Sequence, residues 1–132
     1  MNTPKKTSNI IHLNVRHLWA FCDLHPILRE IVGVGMDLIP SKTQRITSID
    51  RTFTEDKALK GSGVHADGPP WRAVDIAWDN MTQSQIDNVC SHINSLYQYD
   101  LMRPTKVVAY GAPHGTGLHI HFQVHSNTRR IS

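Results

Sequence analysis

Two short segments hold the side chains best able to do chemistry. The first, residues 62–76, reads Ser62-Gly63-Val64-His65-Ala66-Asp67-Gly68-Pro69-Pro70-Trp71-Arg72-Ala73-Val74-Asp75-Ile76. The second, residues 115–124, reads Gly115-Thr116-Gly117-Leu118-His119-Ile120-His121-Phe122-Gln123-Val124. Between them they offer His65, Asp75 and the pair His119 and His121. Imidazole nitrogen and carboxylate oxygen are ligands that zinc favours, and a catalytic zinc takes three protein ligands and keeps a fourth position for water. His119 and His121 are two residues apart, so on a strand both emerge on one face, about 7 Å from each other. One can then bind a metal while the other addresses bound water or substrate. Alone, a loop histidine is an exposed side chain and an aspartate a salt-bridge partner. Their joint occurrence argues for a site.

The elements that must position these residues can be read from periodicity. Residues 72–78 alternate strictly: Val74, Ile76 and Trp78 share one face of a strand, and Ala73, Asp75 and Ala77 the other. An acid between two alanines has space around it. In a last strand, residues 118–124, Leu118, Ile120, Phe122 and Val124 are expected in the core, with His119, His121 and Gln123 facing the other way. Residues 106–110 form a further strand, joined to the last one by a Gly-rich loop. Thr82-Gln83-Ser84-Gln85 has the form of a capping box. Ile86, Val89, Cys90, Ile93, Leu96 and Tyr97 follow at helical spacing, predicting a helix over residues 83–98. Pro26 suits the first turn of a helix that carries Ile27, Leu28, Ile31 and Val32 and ends before Pro40. Residues 45–49, rich in β-branched side chains, read as a short strand. Residues 53–59 read as a helical turn and residues 61–70 as loop. The expected fold is α+β: a small, mainly antiparallel sheet with helices on one face and a zinc site on the open face.

Length and composition bound the rest. The chain has 132 residues, room for one domain with a real core but not two. The expected organisation is a flexible arm over residues 1–10, a single domain over 11–125 and a tail over 126–132. Hydrophobic content of 39% and charge of 19% suit a soluble globular protein, and no apolar run is long enough to span a membrane. The polar start contains Lys5-Lys6 with no apolar signal core after it, so synthesis in the cytoplasm without a signal peptide is expected. The net charge of +3 is spread along the chain without interleaved aromatics, a pattern that argues against nucleic acid and suits an anionic cell-wall substrate. Cys22 and Cys90 form no Cys-x-x-Cys pair, which excludes a thiolate zinc site; both are expected as buried thiols.

The two segments resemble the LAS superfamily of zinc metallopeptidases, in particular its D-Ala-D-Ala carboxypeptidase-like branch. That family carries a Ser-x-His-x-x-Gly-x-Ala-x-Asp motif followed much later by a third ligand histidine. The counterparts here are Ser62, His65, Gly68, Ala73 and Asp75. Ile46-Thr47-Ser48-Ile49-Asp50-Arg51-Thr52 resembles the family's upstream strand and turn with an arginine after it. The spacing departs from the family: Ser62 is three residues before His65, and Pro69-Pro70-Trp71 lengthens the path to Asp75. The family's usual glutamate before the last histidine is missing, since Glu30 and Glu55 are the only glutamates and both lie far from His121 in sequence. In the murein endopeptidase branch a His-x-His pair occupies this place and its second histidine binds metal.

The resemblance implies zinc held by His65, Asp75 and His121, with His119 as the base and Arg51 polarising the scissile carbonyl or holding a substrate carboxylate. Asp67 stays an alternative base, and His114 could reach the mouth of the site. The implied function is a zinc peptidase of bacterial peptidoglycan, carboxypeptidase or endopeptidase, often cutting at a D-amino acid. The implied setting is a monomeric phage lysis enzyme or virion component that reaches the wall after release, with no membrane or nucleic-acid partner. Two other readings remain. One is a metallopeptidase-like module that binds wall or protein without cutting. The other is a His-hydrophobe-His nuclease, which needs a tyrosine nucleophile; Tyr97, Tyr99 and Tyr110 all precede His119.

Overall fold

The computed structural model describes residues 10–49, 64, 68–112 and 118–131. Within them run β1 (Ile10–His12), α1 (Val15–Phe21), α2 (Pro26–Leu38), β2 (Thr43–Ser48), β3 (Ala73–Ala77), α3 (Gln83–Leu96), β4 (Tyr97–Gln98), β5 (Ala109–Ala112), β6 (His119–Gln123) and β7 (Arg129–Arg130). Five strands form one sheet in the order β1-β2-β3-β6-β5. Only β1 and β2 run parallel; the other pairs are antiparallel. The parallel pair needs a long crossover, which α1 and α2 supply. The fold is α+β with a mainly antiparallel sheet, as the sequence predicts. Among the described residues, no helix is long and apolar enough to cross a membrane.

Helix α2 starts where Pro26 removes an N–H that the first turn would leave unpaired. The His25 ring caps it, Nδ1 accepting from the Ile27 N–H at 3.4 Å. Leu28, Ile31, Val32, Gly35 and Met36 are buried, the spacing of one helical face. The helix ends at Ile39, held extended before Pro40. Gly35 lets this face approach the sheet: a Cβ there would lie 2.7 Å from Phe122 Cζ.

Helix α3 begins in the expected capping box. The Gln85 N–H donates to Thr82 Oγ1 at 3.2 Å, and Gln85 Oε1 accepts from the Thr82 N–H at 3.1 Å. The same Oε1 accepts from Trp78 Nε1 at 3.3 Å, tying the cap to the end of β3. Between them, Asp79 and Asn80 turn the chain, with Asn80 at φ 62°, a left-handed conformation that asparagine tolerates. Ile86, Val89, Cys90 and Ile93 are buried, but Leu96 is exposed and Tyr97 has already entered β4. Asn94 pairs with both backbone groups of Ala109, donating to its carbonyl at 2.8 Å and accepting its N–H at 3.0 Å.

Val74, Ile76, Ile120 and Phe122 join these helices in one core. Each such fully buried side chain contributes about 1.5–3 kcal/mol. Val124 is fully buried as expected, while Leu118 is exposed. The strand expected over residues 106–110 lies later, over Ala109–Ala112, because the chain from Asp100 to Lys106 is taken up in turns closed by Arg103 N–H to Asp100 carbonyl and Lys106 N–H to Arg103 carbonyl.

Several elements were not anticipated. β1 begins at Ile10, at the end of the expected arm, and α1 follows it. The segment read as a tail carries β7, which pairs antiparallel with β4 and places Arg130 against Glu30 of α2. Cys22 is exposed, contrary to expectation, because it caps the solvent-facing end of the short α1; Cys90 is buried. The expected helical turn over residues 53–59 and most of the expected loop before Gly68 lie outside the described residues.

Candidate metal centre

Helices α2 and α3 cover the sheet face that carries Ile76, Ile120 and Phe122. Alternation on β3 and β6 therefore sends Asp75, His119, His121 and Gln123 to the other face. The antiparallel register sets Asp75 directly opposite His121 and Ala73 opposite Gln123. On the far side of β3, the register of β2 shifts between Ile46 and Ser48. The bulge at Thr47 keeps Ile46 in the core and still brings Ser48 opposite Asp75.

The polar groups on this face are not open, contrary to expectation. Asp75 is 1% exposed, His119 5%, His121 4% and Gln123 6%. Polar contacts link them. Asp75 Oδ1 lies 2.7 Å from His121 Nδ1, and its Oδ2 lies 3.4 Å from His119 Nε2. His121 Nε2 lies 3.2 Å from Gln123 Oε1, and Gln123 Nε2 donates to the Val107 carbonyl at 2.8 Å.

These groups are of the type zinc favours, an imidazole nitrogen beside a carboxylate oxygen, but they stand closer together than two ligands of one zinc. An ionised carboxylate oxygen and an unprotonated Nδ1 are both acceptors, so their 2.7 Å approach requires a cation between them, a proton or a metal ion. Two donors on one tetrahedral zinc, with bonds of ~2.0–2.1 Å, lie about 3.3 Å apart. Opening the Asp75–His121 contact by about half an ångström would meet that geometry. Among the described residues, no group of three His, Cys, Asp or Glu side chains is arranged as a complete metal-binding set. His65, the expected third ligand, lies outside the described residues, as do Arg51, Asp67 and His114.

Comparison with known proteins adds no relative. No family model, no curated protein and no solved structure matches the chain.

Two residues without an expected role belong to the centre. Tyr110 stands opposite His121 across β5 and β6, with ring centroids 4.7 Å apart and planes tilted by 35°. Its phenol is held above the ordinary value of 10.0, by burial first and then by the negative charge of Asp75 and by Tyr99. It therefore stays a hydrogen-bond donor near neutral pH. The sequence carried only part of the signal, two strands flanking a Gly-rich loop; the observed register is what sets Tyr110 against His121. The second is Gln123, which the alternation placed on the right face.

The Pro69-Pro70-Trp71 departure also has a structural reading. Trp71 bridges to the start of α2: its N–H donates to the Asp23 carbonyl and its carbonyl accepts from the His25 N–H, both at 2.9 Å. Gly68 accommodates the Trp71 ring, since a Cβ there would come within 2.5 Å of it. The extra residues thus dock the approach to β3 onto the helical layer.

Proposed function

We propose that the chain is a zinc-dependent peptidase that hydrolyses peptide bonds of bacterial peptidoglycan, as a carboxypeptidase or an endopeptidase. The observation that carries this reading is the buried meeting of Asp75 with His121, and of the same carboxylate with His119. Asp75 and His121, with His65, would hold the metal. Bound zinc would supply a Lewis acid and a water whose pKa falls to about 7.

The chain's own residues account for the rest of the reaction. His119 takes the proton of the attacking water and returns it to the leaving amine. Asp75 faces both histidines and so orients them. Arg51 polarises the scissile carbonyl, and loss of such a donor costs about 3 kcal/mol of transition-state stabilisation. Tyr110, kept protonated, is a further donor beside His121. The net charge of +3 favours an anionic wall polymer. A phage lysis enzyme or virion component, working as a monomer, is the setting this reading implies.

The test is zinc content and digestion together. About one zinc per chain in the native protein, lost in Asp75→Ala, with new amino groups released from sacculi, is the expected result. Zinc-loaded protein that binds sacculi and releases none would leave a binding module. No zinc after reconstitution would remove the peptidase reading.

Tyr110 also gives the His-hydrophobe-His nuclease reading one observation, since it brings a tyrosine to the histidine pair. Burial and Asp75 disfavour the phenolate that a nucleophile needs. Nicking of supercoiled DNA, abolished by Tyr110→Phe, would be its signature.

A further inference from the structure

Gln123 makes two contacts that together have a chemical consequence. Its side-chain nitrogen donates to the Val107 carbonyl at 2.8 Å, and its own backbone N–H donates to the Val108 carbonyl at 2.9 Å. Only the amide nitrogen can serve a carbonyl acceptor, so the Val107 contact decides which end of the amide points where. The oxygen is left facing His121 Nε2 at 3.2 Å. An amide oxygen only accepts, so the facing ring nitrogen must carry a proton. Nδ1, the atom 2.7 Å from Asp75 Oδ1, is then the ring nitrogen that shares a proton with the carboxylate when no metal is bound and that offers its lone pair when a metal takes the proton's place.

We propose that Gln123 is the positioning residue that selects the Nε2–H tautomer of His121 and so presents Nδ1, beside Asp75, as the metal-binding atom. This rests on the zinc reading above. The anchoring chain is short and buried: the Val107 carbonyl holds Gln123, Gln123 holds His121, and the ring is aimed by a group that never touches the metal. Partners of this kind commonly set ligand orientation, and their loss lowers metal affinity 10–100-fold. Tyr110, on the opposite strand, lies against the ring and restricts its tilt.

The experiment uses the full chain labelled with nitrogen-15, with and without one equivalent of zinc, and the variants Gln123→Met and Gln123→Glu. The expected spectrum of the zinc-loaded wild type shows His121 with a protonated Nε2 and a metal-shifted Nδ1. Gln123→Met, which has no acceptor, is expected to weaken zinc binding by about 10–100-fold in chelator competition. Gln123→Glu restores an acceptor and is expected to recover most of that loss. A zinc-loaded wild type whose His121 carries its proton on Nδ1 would overturn the inference without any variant. So would Gln123→Met binding zinc as tightly as the wild type. Wild-type protein that takes up no zinc would remove the zinc reading and this inference together, whereas zinc uptake indifferent to Gln123 would remove this inference alone.

Discussion

Asp75 and His121, separated by 46 residues in the chain, face each other across adjacent antiparallel strands with Oδ1 2.7 Å from Nδ1. Both side chains are almost wholly buried, so each helps to offset the other's desolvation. Removing one member of a buried polar or charged pair typically costs about 3–5 kcal/mol. Asp75→Asn is therefore expected to lower stability in urea by about 3 kcal/mol without added metal. Zinc at a hundredfold excess over its Kd should stabilise the wild type by about 2.7 kcal/mol and leave Asp75→Asn unchanged. A variant that zinc stabilises as fully as the wild type would exclude Asp75 as a ligand.

His25 should give the fold a pH dependence on the acid side. Its pKa is held below 6.5, by burial first and then by the positive charge of Arg72. Its Nδ1 caps α2 only while unprotonated. Well above pH 6.5 the ring is neutral in both states and the full stability is present. As pH falls through that value the unfolded chain takes up a proton first, so stability declines until the folded ring also protonates. His25→Asn keeps a good helix cap without a titrating ring. Between pH 7.5 and 5 the wild type should lose more stability than this variant, read from urea midpoints.

Two glycines of α2 should respond to alanine with opposite signs. At Gly33 a new Cβ meets nothing within 4 Å. Gly33→Ala should stabilise by roughly 0.5–1 kcal/mol, the ordinary helix-propensity gain. At Gly35 the same Cβ would lie 2.7 Å from Phe122 Cζ. The Phe122 ring is fully buried and cannot swing away freely, so overpacking outweighs propensity. Gly35→Ala should destabilise by about 1–3 kcal/mol. Thermal unfolding of both variants beside the wild type checks the contrast.

The two thiols should differ sharply in reactivity. Cys22 is exposed, while Cys90 is buried in the core. The Cys90 thiol is pushed up to about 11, by burial first and then by the charge of Asp87. Reaction needs the thiolate. A disulfide reagent at pH 8 should therefore titrate one thiol in the folded protein and both in guanidinium. Cys22→Ser should abolish the fast phase.

Local pattern alone determined much of this protein. The capping box at Thr82, proline at the start of α2 and the alternation of β3 and β6 involve residues within a few positions of one another, where backbone geometry dictates who shares a face. The same alternation set Asp75 apart from Val74 and Ile76, and His119, His121 and Gln123 apart from Ile120 and Phe122. Tyr110 opposite His121 was not legible, because a long loop fixes no hairpin register and the first strand starts at Ala109, later than its pattern suggested. Periodicity is silent about which distant strands become neighbours. That β3 lies between β2 and β6, that the Thr47 bulge turns Ser48 toward Asp75, and that β1 and β7 find β2 and β4 were decided by tertiary packing. Such pairings are chosen by the burial of Phe122, Ile120 and Ile76 under two helices, a sum over many small contacts that no local window contains. The burial of Asp75 and the histidines has the same origin: a strand's alternation assigns a side chain to a face, and only the assembled sheet determines whether that face meets water.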